Sequence, residues 1–264
     1  MKKLLTLAVA AFAFAAISTA ADAEMQKVRI GTEGAYPPFN SIDENGVLVG
    51  FDIDIANALC VAANFECEFV VQDWDGIIDG LTTNKYDAII ASMSITEKRM
   101  EVVDFTEKYY NTPAKFIANK GTDLDFTEGT GLEGAKVGVQ GATIHEDFVR
   151  MTWPGAEVVT YATQDEANAD LISGRVDLVM ADSVALDFGF LQTDAGACCE
   201  FVGADYNDPK IHGEGAGIAI RKGEEDLRVA LDAALAQILS DGTYKEINDH
   251  YFNYNVYGED LPAM

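Results

Sequence analysis

The chain has 264 residues, with 44 acidic side chains against 18 basic ones, a formal net charge of −26 and four cysteines. So acidic a polypeptide offers no basic stripe to neutralise phosphates, which makes nucleic acid a poor partner. Its length suits one large domain or two of ordinary size.

The first residues, MKKLLTLAVAAFAFAAISTAADAE, carry two lysines, an apolar stretch from Leu4 to Ile17 broken by Thr6, and the A-x-A of Ala21, Asp22 and Ala23. That is the pattern of a cleaved secretory signal peptide over residues 1–23. The apolar core is short for a bilayer span and ends in cleavage-site residues rather than basic ones. A periplasmic location is therefore expected, with the mature chain starting near Glu24. Losing Lys2, Lys3 and Asp22 with the leader takes the net charge from −26 to −27. The acidity reads as solvation of an exported surface, whose field would also draw a cationic ligand inward.

From Gln26 the chain alternates strand-like and helix-like stretches. KVRIGT alternates polar and apolar residues, FDIDIANALCVAANF repeats apolar side chains at Phe51, Ile55 and Leu59, and ECEFVVQ is β-rich. A helix is expected near Asp75 to Thr83, then the strand YDAIIAS and a short helix after Ser94. Cys60 and Cys67 fall at the end of one helix and the start of the next strand, and in an oxidising compartment they read as a small-loop disulfide. A zinc site is the competing reading, but histidine-bearing metal spacing is absent. For the adjacent Cys198 and Cys199, a vicinal disulfide, two free thiols and an intermolecular bridge all stay open.

The same grammar restarts at residue 135, with strand AKVGVQ, a helix over Ile144 to Met151, strand AEVVTY, helix DEANADLISG and strand VDLVMAD. NKYDAIIASMS and SGRVDLVMADSV echo one another, as do RIGTEGAY and KVGVQGAT, though common strand-turn chemistry explains this about as well as duplication. YYNTPAKF, with Pro113, carries no helical pattern, and ADYNDPKIHGEG is polar and turn-rich. Then come the strand GAGIAIRK and an amphipathic helix with Leu227, Leu231, Leu235 and Leu239 on one face and Gly242 beyond it. The expected class is α/β, with helices on both faces of each sheet.

Ligands in open α/β sheets bind beyond the carboxyl ends of strands. Ser94 with Glu97, and Thr143 with Glu146, read as capping boxes at two such ends. Arg99 lies within a turn of the first and either pairs with Glu101 or Asp104 or forks onto a small carboxylate. Asp182, after strand VDLVMA, either caps the next helix or accepts from an ammonium. Arginine on one side and aspartate on the other match the two ends of an α-amino acid. Asp52 and Asp54, in the first turn of a helix, read as structural complements to its dipole. His145, His212 and His250 are scattered and read as surface or satisfied core residues.

GFDIDIANALCVAA (50 to 63), SMSITEKR and DGTYKEINDHYF resemble segments of the solute-binding proteins of polar amino-acid ABC transporters, family 3, across the mature chain. Within that family the sequence is most similar to the histidine, lysine/arginine/ornithine and opine binders. The resemblance implies the type II periplasmic-binding-protein fold: two lobes, each a mixed sheet with helices on both faces, joined by two hinge strands. Lobe 1 would comprise residues 24–112 and 212–264, and lobe 2 residues 113–211. It also implies roles. Arg99 would clamp the ligand carboxylate with Ser92 and the turn at Thr143, while Asp182 and Ser94 would take the ammonium. Glu33, Tyr36, Trp74, Ala91 and Met93 would line a side-chain pocket, with Gln140 and Ile144 completing the set. Ala142, Thr143 and Ile144 depart from the family's frequent G-T-T.

Aromatic faces at Tyr36 and Trp74 can sandwich a planar cation that Glu33 pairs with. The expected ligand is a cationic L-amino acid, arginine first, then ornithine, lysine or histidine. An octopine-like opine would use the same contacts, and a neutral polar ligand would leave Glu33 buried without a countercharge. No cofactor or metal is expected, and the partner implied is a membrane permease, the binder itself acting as a monomer. A periplasmic dehydratase is the enzymatic rival, but no nucleophile motif, H-E-x-x-H or phosphate loop appears. A sensory module, the third class, would carry a membrane span and a signalling domain after the binding unit, which is not expected in a chain read to Met264.

Overall fold

The computed structural model describes residues 25–258, so the expected leader, residues 1–23, lies outside the described residues. Two five-stranded mixed sheets organise the chain. The first runs in the order Phe65–Val71, Gln26–Thr32, Ala88–Ile89, Ala216–Arg221, Val103–Tyr110, and the second Glu157–Tyr161, Lys136–Gln140, Leu178–Asp182, Ala114–Asn119, Cys199–Tyr206. In the first, Gln26–Thr32 pairs in parallel with both its neighbours, and Ala216–Arg221 returns antiparallel.

Period-two alternation gives each sheet two buried faces. Val28, Ile30, Ala88, Ile90, Ile218 and Ile220 pack under helices Phe51–Ala62, Glu225–Ser240 and Thr243–Tyr251. Ile89, Ala91, Val103 and Ala219 face the other way, onto Ile77 and Leu81 of helix Ile77–Thr82. Leu227, Leu231 and Leu235 are buried as their four-residue spacing predicts, and Leu239 is half-buried. The second sheet repeats the plan, with Phe148, Val149 and Trp153 below one face and Ala167, Leu171 and Leu186 below the other.

One echo in the sequence has a physical cause. Asp87, before strand Ala88–Ile89, accepts from the Arg29 main-chain N–H at 2.9 Å, and Asp177, before strand Leu178–Asp182, accepts from the Lys136 N–H at 2.8 Å. In both sheets an aspartate ties the start of one strand to its parallel neighbour.

Gly50, before the first long helix, has φ 127°, and a Cβ there would lie 2.3 Å from the Phe39 carbonyl oxygen. Cys60 and Cys67 form the expected disulfide between that helix and strand Phe65–Val71. Cys198 and Cys199 are free thiols with sulfur atoms 2.6 Å apart.

The chain passes between the sheets at residues 111–113 and 207–215. The second passage, expected as turns alone, contains the one-turn helix Pro209–His212, capped by Asp208. That helix packs on the second sheet's helix Ile144–Thr152, with the His212 and Phe148 rings 4.6 Å apart. Among the described residues no helix is long and apolar enough to cross a membrane, and no group of three His, Cys, Asp or Glu side chains is placed to hold a metal ion.

Candidate functional site

Between the sheets lies a cavity. Of the residues singled out by sequence, Glu33, Tyr36, Trp74, Ala91, Ser92, Ser94, Arg99, Gln140, Thr143, Ile144 and Asp182 line it. Met93 does not. Its side chain packs in the core cluster with those of Ile89 and Ala91 over helix Ile77–Thr82, fully buried, so the expectation that it lines the pocket is corrected.

The helix after strand Ala88–Ile89 starts later than the Ser94 and Glu97 spacing suggests. It spans Glu97–Met100, and its N-cap is Thr96, whose hydroxyl accepts from the Arg99 N–H at 3.3 Å. Ser94 instead bridges to Ala216 in the first sheet, a long-range pairing that removes it from the cap. Its carbonyl accepts from Arg99 Nη1 at 3.0 Å and so aims the guanidinium. Among the described residues no carboxylate pairs with Arg99; Asp104 is taken by Lys222 at 2.9 Å. Burial pulls Arg99 down to about 10, against the nearby charge of Asp147, and it stays cationic at neutral pH.

Thr143 does cap helix Ile144–Thr152, accepting from the Glu146 N–H at 3.3 Å. Its partner differs from a full box: Glu146 reaches the Ala142 N–H, at 2.9 Å. The Thr143 hydroxyl donates to the Gln140 carbonyl at 2.7 Å, which leaves main-chain N–H groups of the helix's first turn as donors to an anion. The complete capping box occurs at Thr163 and Glu166.

Ser92, after strand Ala88–Ile89, and Ala142, after strand Lys136–Gln140, both take left-handed backbone angles, φ 55° and 57°. Such strain in non-glycine residues concentrates at functional sites. Beneath Ser92 lies Asp52, fully buried, accepting from Asn40 Nδ2 and Tyr109 OH at 2.8 Å and from Ser92 Oγ at 3.0 Å. Burial lifts the Asp52 carboxyl to about 6 despite these bonds. Its structural role is larger than a helix-dipole complement.

Asp182 unites both readings that the sequence left open. It caps helix Ser183–Leu186, accepting from the N–H groups of Val184 and Ala185 at 2.8 and 3.3 Å, and it lines the cavity. Thr112, from the first passage between the sheets, donates to its other oxygen. Burial raises its carboxyl to about 6.

At another part of the wall Glu33 accepts from Gln140 Nε2 at 2.5 Å, joining the two sheets' loops. Burial lifts Glu33 to about 7, Gln140 opposes the shift, and the charges of Asp73 and Asp165 add to it. That is a carboxylate held in want of a countercharge. Tyr36 and Trp74 do not form two free plates. Arg99 lies over the Trp74 ring, 5.3 Å from its centroid, and Trp74 Nε1 donates to the Ala142 carbonyl at 3.3 Å. Tyr36 stacks on Phe39, and its hydroxyl accepts from the Asp182 N–H at 3.3 Å.

The structure also brings in residues the sequence did not mark. Tyr110, at the end of strand Val103–Tyr110, lines the cavity with Asn111 and Thr112 from the first passage, and with His145 and His212 from two packed helices. The two histidines are therefore neither surface nor satisfied core. A hint for His145 was available, since it follows Thr143 and Ile144 at a strand end; His212 had no local signal.

A model of the bacterial extracellular solute-binding proteins, family 3, matches residues 28–254. The L-arginine-binding protein of Pseudomonas aeruginosa is 46% identical over 261 residues, covering 98% of this chain and 99% of that one. The lysine/arginine/ornithine-binding periplasmic protein of Escherichia coli K12 is 39% identical over 258 residues, covering 97% and 96%. An ancestral arginine-binding protein solved with arginine bound superposes with a TM-score of 0.78 at 37% identity, covering 86% of this chain and 98% of that one. The two-lobed α/β architecture is thus that of amino-acid binding proteins, and this chain belongs to the bacterial extracellular solute-binding proteins, family 3.

Proposed function

We propose that the protein is the extracytoplasmic substrate-binding component of an ABC importer and binds a cationic L-amino acid, arginine foremost, in the cavity between its sheets. The observation that carries this reading is one cavity lined by Arg99, which has no carboxylate partner among the described residues, and by two buried carboxyls raised above their ordinary range, Glu33 and Asp182. Arg99 and the first-turn N–H groups after Thr143 take the α-carboxylate. Asp182 takes the α-ammonium, with the Ser92 hydroxyl, whose own hydrogen is committed to Asp52, offering a lone pair. Glu33 pairs with the side-chain cation, and its elevated proton affinity is relieved when that cation arrives.

The relatives support the same ligand class, being named as binders of arginine or of lysine, arginine and ornithine. The protein acts in the periplasm as a monomer and delivers ligand to a membrane permease. Its lobes comprise residues 24–112 with 212–264, and residues 113–211. Glu33 meets Gln140, Trp74 meets Ala142 and Lys98 meets Asp147 across the two proposed lobes, so ligand that touches both walls favours the closed arrangement.

A calorimetric panel of arginine, lysine, ornithine, histidine and glutamine on the mature protein tests the reading. Binding of the cationic members with glutamine silent is expected. Binding of glutamine alone would refute the assignment of Glu33, and recovery of a product from bound arginine after long incubation would refute a pure binder.

A further inference from the structure

Asp182 ends strand Leu178–Asp182 and lines the cavity from the second sheet, buried. An ionised carboxylate offers about four lone-pair sites. Oδ1 uses its share on the N–H groups of Val184 and Ala185, at 2.8 and 3.3 Å. Oδ2 accepts from the hydroxyl of Thr112, which also lines the cavity. Among the described residues no further donor reaches Asp182, so one site on Oδ2 stays open.

The backbone explains why Thr112 lies there but not why it is a threonine. Thr112 precedes Pro113, whose carbonyl accepts from the Ser183 N–H at 2.9 Å, and Ala114 pairs with Asp182 across antiparallel strands Ala114–Asn119 and Leu178–Asp182. These main-chain bonds hold position 112 beside Asp182 whatever its side chain, and a valine has the same shape as threonine. The hydroxyl, spent on a cavity carboxylate, therefore points to the ligand.

We propose that Thr112 is a positioning residue for the ligand's α-ammonium: its hydroxyl aims the Asp182 carboxylate so that a single Oδ2 lone pair faces the cavity. This rests on the reading of Asp182 as the ammonium acceptor. A hydrogen bond to a carboxylate also favours its charged form. Burial raises Asp182 to about 6, and the bonds from Thr112, Val184 and Ala185 oppose that rise. Without Thr112 the ligand-free carboxyl keeps its proton to higher pH, and an arriving ammonium must expel it. The titratable groups that face Asp182 are the phenols of Tyr36, Tyr110 and Tyr254, all pushed up by burial, Tyr254 to about 12, so none of them changes charge near neutral pH. Glu33, Arg99, His145 and His212 share the cavity, and their contributions cancel when variant and wild type are compared at one pH.

Calorimetry with L-arginine on the mature wild type, Thr112→Val and Thr112→Ser at pH 6 and pH 8 tests this. The wild-type-to-valine affinity ratio is expected to be at least about fivefold larger at pH 6 than at pH 8, the effect of losing one hydrogen bond to a charged group. Thr112→Ser keeps the hydroxyl and should follow the wild type at both pH values. Thr112→Ala should show the same steepening as valine and replaces it if the valine variant does not fold. A ratio equal at the two pH values makes Thr112 a purely structural residue and overturns the proposal, as does a serine variant that behaves like valine; in both cases arginine binding by the wild type leaves the cationic amino-acid reading standing. Failure of the wild type to bind arginine at either pH removes that reading, and this one with it.

Discussion

The Ser92 hydroxyl donates to the fully buried Asp52 carboxylate at 3.0 Å, and Tyr109 bridges the same two residues, accepting from the Ser92 N–H at 3.0 Å and donating to Asp52 at 2.8 Å. This arrangement fixes the left-handed turn at Ser92 and turns its lone pairs away from Asp52. Asp52→Asn replaces one acceptor oxygen by a donor facing hydroxyls or an amide already committed as donors. A loss of about 1–3 kcal/mol is expected, a fall in melting temperature of about 2–4 °C for each. Thermal denaturation with and without arginine checks this, with a smaller ligand-induced shift in the variant.

Arg99 is aimed by the Ser94 carbonyl and the Trp74 ring, and among the described residues no carboxylate pairs with it. A lysine cannot reproduce the planar fork. Arg99→Lys should weaken arginine binding by about 2–4 kcal/mol, the scale for removing one partner of a buried charge pair. Calorimetry at fixed pH measures it, and an affinity within threefold of wild type would deny Arg99 the carboxylate role.

Gly189, in the second sheet's unit, approaches Pro37 so closely that a Cβ would lie 2.4 Å from the Pro37 carbonyl oxygen. Gly189→Ala should therefore oppose closure rather than unfold either half. Overpacking of this kind costs about 1–3 kcal/mol. The expected outcome is weaker arginine binding and a larger radius of gyration by X-ray scattering at equal ligand, with the ligand-free melting temperature nearly unchanged.

The Cys60 to Cys67 disulfide closes a loop of sequence separation 7. Chain-entropy reasoning gives such a loop about 2–3 kcal/mol. Reduction, or Cys60→Ser with Cys67→Ser, should lower the melting temperature by several degrees while arginine affinity holds, because the bond ties the outer helix Phe51–Ala62 to edge strand Phe65–Val71, away from the cavity lining.

Local pattern was enough to read the long helices, the strands that open each unit and the caps at Thr143 and Asp182, because periodicity and N-capping act over a few residues. It failed where distant chain decides. Ser94 and Thr96 both offer a hydroxyl before the short helix, and only the bridge from Ser94 to Ala216 leaves the cap to Thr96. The family resemblance puts Met93 in the pocket, whereas the fold buries it in the core cluster over helix Ile77–Thr82. His145 and His212 meet only because helix Pro209–His212, hidden in a polar turn-rich stretch, folds back on helix Ile144–Thr152. The family resemblance supplied most of the cavity lining; the buried network under Ser92 and the shared face of Trp74 came from the fold.

The central claim is that Glu33 awaits a cation. Its folded carboxyl is raised to about 7 from an ordinary value of 4.5, so the ligand-free protein gains stability from it below about pH 4.5 and loses that gain as the pH rises through 7. A bound guanidinium reverses the preference, so binding must expel a proton on the acid side of 7. Titrating the mature protein with L-arginine at pH 6 and pH 8, in buffers of different ionisation enthalpy, measures this directly. The account predicts about tenfold tighter binding at pH 8 from Glu33, with Asp182, raised to about 6, adding to the net proton release at pH 6; equal affinities with no proton released at either pH would contradict it.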